Sequence, residues 1–153
     1  MANHEARVTW DRNGQPFLKG QFSREHRWSF DGGLTVVASA SPHVVKVPLS
    51  NPAGVDPEEA FVASLSSCHM LTFLWRACLA GFICDSYEDS AFGVLAKTPE
   101  GRLAITKVTL RPKAVFSGDK QPSKAELDHL HHLAHEECFI ANSVKTEITC
   151  EPQ

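Results

Sequence analysis

The chain of 153 residues predicts an α+β fold, in one domain that spans residues 1–153. Its composition, 42% apolar and 22% charged, is that of an ordinary protein with one hydrophobic core. Segments of alternating apolar residues form two groups, and a segment with the helical period follows each group. One more alternating segment ends the chain. The order of strands, helix, strands, helix and strand is typical of the α+β class.

The first 50 residues predict an antiparallel meander. Turns rich in Asp and Gly separate short runs of alternating apolar residues. These runs indicate four strands, at 6–10, 15–22, 26–30 and 34–41. Residues 41–57 are rich in Pro, Ser and Gly and therefore predict a surface connection to the first helix.

The first helix is predicted to start at Asp56, Pro57 and Glu59, because these residues suit the N-cap, the first helical position and the third. Gly81 predicts its end. Apolar residues recur along it at a spacing of three or four and form one stripe. This stripe predicts that Cys68 points into packed or partner-covered space; it consists of Phe61, Leu65, Cys68, Thr72, Trp75 and Leu79.

The second half of the chain predicts another antiparallel meander, a helix and a last strand. Alternation indicates strands at 90–98 and 103–116, joined by a turn at 99–101. Ser123 and Glu126 form a capping box for a second helix, which carries Leu127, Leu130 and Ala134 inward. Residues 143–150 complete the prediction as a final strand.

Charge and hydropathy exclude several classes of partner. The net charge is −3, and the basic residues form no dense tract, so nucleic acid is not expected as a partner. No apolar run approaches the roughly 18 residues of a membrane span, and the first residues do not form a secretion signal. We therefore expect a cytoplasmic protein that does not enter a membrane.

The five cysteines are predicted to be reduced thiols, because an odd number without a secretion signal does not indicate a disulfide framework. Cys78, Cys84 and Cys150 lie among apolar residues and are expected to act as small hydrophobic core residues. Cys68, on the first helix, and Cys138, directly after the second, form a pair suited to a thiol peroxidase. Peroxide reduction needs a thiolate and a route back from the sulfenic acid, which a second thiol supplies.

Arg24 and Glu58 are the charged residues that we expect beside Cys68. Cys68 lies three turns into its helix, beyond the reach of the helix dipole, so a cation must stabilise the thiolate. Arg24, at the edge of the first sheet, is the candidate, and Glu58 would orient it through a two-point ion pair. Glu58 and Cys68 are roughly 15 Å apart along a continuous helix. A shared site would therefore join two copies of the chain in a homodimer, with the helices antiparallel about Ala63.

Three rival interpretations use the same residues. His131 and His135 are spaced i, i+4 and invite a metal site, but no further ligands follow at matching spacing, and no metal is predicted. His129, His132 and His131 are instead expected on a solvated helix face, with His135 packed near Cys138.

His69 adjoins Cys68 but points about 100° away on the helix, so we expect packing rather than a Cys/His dyad. A non-catalytic dimeric redox-sensing or binding module would use Cys68 and Cys138 without turnover.

These segments resemble the OsmC/Ohr hydroperoxide reductases over nearly the whole chain. Residues 56–74 resemble the first-cysteine helix of that family, 134–148 the second-cysteine segment, and 23–41 the N-terminal sheet. The resemblance implies the OsmC-like fold, in which antiparallel sheets wrap two long central helices of an intertwined homodimer. It also implies activity toward organic hydroperoxides and, less efficiently, hydrogen peroxide, with no cofactor.

The resemblance also implies the roles of single residues. Cys68 matches the peroxidatic cysteine, Cys138 the resolving cysteine that forms a disulfide with it, and Glu58 the family glutamate. Arg24 matches the family arginine by its distance from the next strand, with Arg27 as the alternative. Phe139 stands where many members have proline. A dithiol would reduce the disulfide: the Ohr branch implies a lipoyl group, whereas residues 23–33 resemble a less specialised branch and leave the reductant open.

Overall fold

Two α-helices and eight β-strands build the structure, a computed structural model that describes all 153 residues. Residue contacts divide the chain into two compact units, Met1–Ala60 and Phe61–Gln153. The order of elements is β1 (Ala6–Thr9), β2 (His26–Phe30), β3 (Thr35–Ala38), α1 (Pro57–Leu79), β4 (Ile83–Asp89), β5 (Phe92–Lys97), β6 (Leu103–Leu110), β7 (Pro112–Ser117), α2 (Lys124–Glu137) and β8 (Glu147–Cys150). The predicted α+β class is confirmed.

The first unit contains the three-stranded antiparallel sheet β1-β2-β3. Three of its four predicted strands are confirmed, and the strand predicted at 15–22 is wrong. A 3₁₀ helix, Phe17–Lys19, occupies that segment and ends at Gly20 with a φ of 70°. The segment bends because its aromatic rings cluster, with the ring centroids of Phe17 and Phe22 only 4.6 Å apart. Apolar alternation alone does not report such a cluster.

Helix α1 begins and ends where the sequence predicts. Glu59 N–H donates to Asp56 Oδ1 at 2.8 Å, and Asp56 N–H donates to Glu59 Oε2 at 3.2 Å, which is a reciprocal capping box. Beyond its last residue, Gly81 adopts a φ of 77°, a conformation that glycine enters without steric cost. The capping box of α2, between Ser123 and Glu126, is also present.

The predicted buried stripe of α1 is displaced. The residues buried on α1 are Leu65, His69, Phe73 and Ala77, at a strict spacing of four. Trp75 and Leu79, which the predicted stripe contained, are exposed, and Cys68 is half-buried. The prediction excluded His69 because it admitted mainly apolar residues, although an imidazole with a hydrogen-bond partner can occupy a core position.

The second unit contains two sheets, β4-β7 and β5-β6-β8. The strand predicted at 103–116 is broken: β6 ends at Leu110, and β7 begins at Pro112 and pairs with β4. Strand β4 was not predicted, because polar residues dominate it. The sheets are antiparallel with one exception, since β8 pairs parallel to β6.

Two apolar clusters form the core of the second unit. One joins α1 to α2 and contains Phe73, Ala77, Phe82, Leu130 and Ala134. The other joins α1 to β6 and contains Leu65, Val108 and Leu110. His69 lies on α1 between Leu65 and Phe73, and therefore at the junction of the two clusters. Neither helix is both long and apolar enough to cross a membrane.

Candidate functional site

The side chains of Cys68 and Cys138 are neighbours in the second unit. Cys68 lies in the middle of α1 and is half-buried, while Cys138 follows α2 directly and is 1% exposed. Both thiols are free. Burial, and next the neighbouring Cys68 thiol, raise the pKa of Cys138 to about 11. The fold thus brings together two sulfurs that are 70 residues apart in sequence.

Backbone and side-chain hydrogen bonds fix the segment that follows Cys138. Ala141 N–H donates to Cys138 Sγ at 3.3 Å, and Asn142 N–H donates to the Cys138 carbonyl at 3.0 Å. The Asn142 side chain reaches back to the Glu136 carbonyl at 2.8 Å. Phe139, which directly follows Cys138, is 82% exposed. These bonds therefore hold the turn after Cys138.

Arg24 lies in the first unit and is tied to the local backbone. Its Nη1 group donates to the carbonyls of Gly20, at 3.1 Å, and Phe22. Its guanidinium lies over the Phe22 ring, 3.7 Å from the centroid. It is half-buried and forms no salt bridge within the chain. Arg27, the alternative, is exposed on β2.

An apolar pocket of about 580 Å³ adjoins Arg24 in the first unit. The rings of Trp10, Phe17 and Phe22 form much of its wall, with centroids 4.6 to 6.0 Å apart. The lining residues are Val8, Trp10, Phe17, Phe22, Arg24, His26, Ala40 and Pro57. A fixed guanidinium at the wall of an apolar pocket is suited to a ligand that has an apolar body and a polar or anionic group.

Glu58 has no partner for one of its carboxylate oxygens. Its Oε2 atom is buried and makes no hydrogen bond, and no salt bridge within the chain includes Glu58. The expected ion pair between Glu58 and Arg24 is therefore not made inside one chain. An orphaned carboxylate oxygen is costly when buried, so a partner from outside the chain would stabilise it.

His131 is buried rather than solvated, and the expectation for it is wrong. His69 Nε2 lies 3.0 Å from His131 Nδ1, and the His131 ring stacks on Phe73 at a centroid distance of 4.3 Å. His129 and His132 are exposed, as expected, but His135 is exposed too, so the expectation that it packs near Cys138 is wrong. Burial, the largest cause, lowers the pKa of both His69 and His131 to about 4.

Cys150 Sγ lies 3.8 Å from His69 Nε2, so a third donor atom joins the two imidazoles. The predicted core role fits Cys84 and Cys150, which are half-buried against the core clusters, but not Cys78, which is exposed. Reading α1 at a strict spacing of four from Leu65 would have placed His69 in the core. No pattern in the sequence indicated that Cys150 would meet it.

Comparison with known proteins identifies the family. The model of the OsmC-like protein family matches residues 50–153. An OsmC-like protein of unknown function from Vibrio cholerae is 55% identical, with 100% of both chains covered and a TM-score of 0.98.

Two organic hydroperoxide resistance proteins share the fold at 17% identity, those of Elizabethkingia anophelis and Bacillus subtilis (OhrB). Their TM-scores are 0.71 and 0.68, with 99% of this chain and 94% and 98% of theirs covered. A search of curated proteins found no match. Two helices and mainly antiparallel sheets are the architecture that these structures share with the chain. The chain belongs to the OsmC family.

Proposed function

We propose that the protein is a cysteine-based thiol peroxidase that reduces organic hydroperoxides and, less efficiently, hydrogen peroxide. The proximity of the Cys68 and Cys138 thiols supports this proposal most directly. A neighbouring thiol can trap a sulfenic acid before a second peroxide oxidises it further. The family relationship adds support, since proteins of this fold include organic hydroperoxide resistance proteins.

The proposed cycle has three steps. The Cys68 thiolate attacks the outer peroxide oxygen, the O–O bond breaks, and the alkoxide leaves as an alcohol after it takes a proton. The Cys138 thiol then attacks the sulfur of the Cys68 sulfenic acid, which releases water and forms a Cys68–Cys138 disulfide. A dithiol returns two electrons and two protons and restores both thiols. A kinetic comparison of lipoyl and other dithiols would identify the reductant.

Cys68 is the attacking sulfur in this proposal because it is the more accessible of the two. Cys138 is 1% exposed, and the raised pKa keeps it protonated at neutral pH. A buried, protonated thiol is a poor nucleophile toward an incoming peroxide. The same thiol can still act in the second step, where its target is the neighbouring Cys68 sulfur.

Arg24 is proposed to stabilise the Cys68 thiolate and a peroxide oxygen. It is half-buried, and no carboxylate of its own chain neutralises it. Its backbone carbonyl contacts occupy only Nη1, so the other guanidinium nitrogens can donate to a ligand. The pocket beside it suits the alkyl or aryl body of an organic hydroperoxide.

A homodimer is proposed to complete the site. Glu58 is expected to orient the arginine across the dimer interface, and its buried Oε2 atom has no partner in its own chain. The exposed face of α1 is the proposed contact surface, because Leu71, Trp75 and Leu79 recur along it at a spacing of four and are 58% to 62% exposed. A second copy that covered this face would remove a large apolar area from water.

The proposed location is the cytoplasm, and the proposed partners are a hydroperoxide, a dithiol and a second copy of the chain, without nucleic acid. All five cysteines are free, and a reducing compartment would keep them so.

A redox switch without turnover is the second candidate, and the near-complete burial of Cys138 favours it. A disulfide with one buried sulfur is accessible to a reductant only through the other sulfur. Recycling could then be too slow for catalysis. The protein would then reduce one peroxide molecule per site and stop.

Counting turnovers tests the proposal. With excess dithiothreitol and cumene hydroperoxide, the wild-type protein is expected to consume many equivalents of peroxide per site, whereas a switch stops after one. Cys68→Ser is expected to abolish consumption. Cys138→Ser, given peroxide before any dithiol is added, is expected to stop after one turnover with a sulfenic or higher oxidised sulfur. Cys78→Ser, which removes an exposed thiol, is the matched control and should behave as wild type. Multiple turnover by Cys68→Ser contradicts the assignment.

The role of Arg24 is tested with two substitutions of Arg24 and one control substitution of Arg27. Arg24→Gln should reduce kcat/KM by at least about tenfold, and Arg24→Lys should recover only part of it, because an ammonium cannot reproduce the guanidinium geometry. Arg27→Gln serves as the control for a charge lost from the same strand region. If Arg27→Gln carries the larger loss, the alternative arginine is the functional one.

A further inference from the structure

A buried cluster of two imidazoles and a thiol joins three elements of the second unit. It contains His69 on α1, His131 on α2 and Cys150 at the end of β8. One donor atom from each residue lies within 4.8 Å of the other two. His69 and His131 are 1% and 4% exposed, respectively. The cluster takes no part in the proposed peroxide chemistry.

The donor distances suit a tetrahedral transition-metal ion. His69 Nε2 lies 3.0 Å from His131 Nδ1 and 3.8 Å from Cys150 Sγ. Around Zn²⁺, with bonds of about 2.0 Å to nitrogen and about 2.3 Å to sulfur, neighbouring ligand atoms are roughly 3.3–3.6 Å apart. The third donor pair lies within 4.8 Å, so small side-chain adjustments would bring all three donors to bonding distance.

Charge and hydrogen bonding around the cluster also suit a cation. Asp89 accepts hydrogen bonds from Ser66 Oγ at 2.5 Å and Arg111 N–H at 2.6 Å. Its negative charge acts on His131 and on Cys150, so it lies in their neighbourhood. A divalent ion with one thiolate ligand would be neutralised by this carboxylate, which removes the main cost of burying the charge.

The Tyr87 hydroxyl provides a second, independent observation. It is buried without a hydrogen-bond partner, and burial, followed by the charges of Asp89 and Cys150, raises its pKa. Buried orphan hydroxyls are uncommon because they forgo about 1–3 kcal/mol of hydrogen bonding. A water carried by an ion in the cluster is the kind of partner that this hydroxyl lacks.

We propose that His69, His131 and Cys150 bind one borderline-soft divalent transition-metal ion, of which Zn²⁺ is the representative, as a structural site that ties α1, α2 and β8 together. The two imidazoles stay neutral and coordinate through His69 Nε2 and His131 Nδ1; the proton that these two nitrogens now share moves to the other nitrogen of the ring that carries it. Cys150 binds as the thiolate and releases its proton to solvent, and a water or the Tyr87 oxygen completes four-fold coordination. The proposal does not depend on peroxidase activity.

Cobalt spectroscopy on the reduced, chelator-treated full chain tests the site. Co²⁺ bound by a thiolate gives a charge-transfer band in the near ultraviolet, together with the visible bands of tetrahedral Co²⁺. We expect these bands in the wild type, their loss in Cys150→Ala, and their retention in Cys84→Ala. Cys84 is the matched control because it is another half-buried thiol that lies outside the cluster.

Two further measurements separate other outcomes. Bands that persist in Cys150→Ala but disappear in Cys68→Ser would place the metal at the thiol pair and overturn the proposal. X-ray absorption of the Zn²⁺-loaded wild type needs no variant to fold. It should show two nitrogen ligands and one sulfur ligand from the protein. A wild type that binds neither Co²⁺ nor Zn²⁺ at micromolar concentration would show that the cluster is only a hydrogen-bonded part of the core.

Discussion

The guanidinium of Arg76, in the last turn of α1, holds the carboxylate of Glu137 through two hydrogen bonds, and Glu137 is the residue directly before Cys138. The Nε–Oε2 bond is 2.8 Å long, and Nη2 contacts the second carboxylate oxygen. The pair therefore fixes the end of α2 relative to the helix that carries Cys68. Its role in the proposed chemistry is to position a sulfur.

Loss of this pair should slow the second chemical step and leave the first unchanged. Arg76→Gln is expected to reduce the rate of disulfide formation several-fold, because Cys138 loses its fixed position. Stability should fall by only about 1 kcal/mol, since both partners are one-third exposed and screened. Rapid-mixing measurements with one equivalent of peroxide separate the two rates. Lys124→Gln, which breaks the exposed Lys124–Asp128 pair at the other end of α2, is the control. Equal effects in both variants would contradict a positioning role.

Cys138 should make stability depend on pH above 9. Its pKa is raised from 9.0 to about 11, mainly by burial, so an unfolded chain loses this proton before the folded protein does. The contribution is complete below pH 9 and is lost as the pH rises through 11, by up to about 2–3 kcal/mol. Urea unfolding of the reduced wild type and Cys138→Ala should therefore show a stability difference that shrinks over this window. Cys78→Ala, at an exposed position, should show a constant difference. A constant difference for Cys138→Ala would refute the assignment of a raised pKa.

The aromatic wall beside Arg24 should determine substrate preference. Phe17→Ala removes part of the apolar surface that would cover an organic substituent, worth on the order of 1–2 kcal/mol. We expect kcat/KM for cumene hydroperoxide to fall about tenfold, with little change for hydrogen peroxide. Leu18→Ala is the control, because Leu18 is its neighbour, is fully exposed and does not line the pocket. If both peroxides are affected equally, the pocket does not bind the organic group.

The exposed face of α1 should carry the dimer. Trp75→Glu places a charge in the middle of the proposed apolar contact, so sedimentation at micromolar concentration is expected to shift from dimer to monomer. Leu103→Glu makes the same kind of change at an exposed apolar residue on β6 and should leave the dimer intact. Peroxidase activity should fall together with dimer content if Glu58 acts across the interface. A wild type that sediments as a monomer would defeat the intersubunit site.

Most of the correctly predicted elements depend on local signals in the sequence. The capping residues Asp56 and Ser123 located both helix starts, because a cap acts through neighbouring backbone groups that the sequence displays directly. Strand β4 and the break at Arg111 escaped prediction, because their pairing partners are distant in the chain.

In the candidate site, too, local sequence signals predict some features, and features that depend on distant parts of the chain escape prediction. Cys68 and Cys138 could be paired from their positions on the first helix and directly after the second, whereas the meeting of His69, His131 and Cys150 depends on the tertiary arrangement of three elements. A histidine within an apolar stripe of the sequence is assigned to the surface unless its hydrogen-bond partner is known. The place of Arg24 in the catalytic cycle stays a prediction.

The placement of His69 directly after Cys68 indicates which sulfur must travel. Two neighbouring sulfurs must approach to about 2.05 Å to form a disulfide. Helix α1 is anchored at that point, because His69, the residue next to Cys68, is buried and hydrogen-bonded to His131, whose ring stacks on Phe73. The turn after α2 is held by a short 3₁₀ helix and by the hydrogen bonds of Ala141 and Asn142. Formation of the proposed disulfide would therefore move Cys138 against these bonds, while the helix that carries Cys68 stays in place.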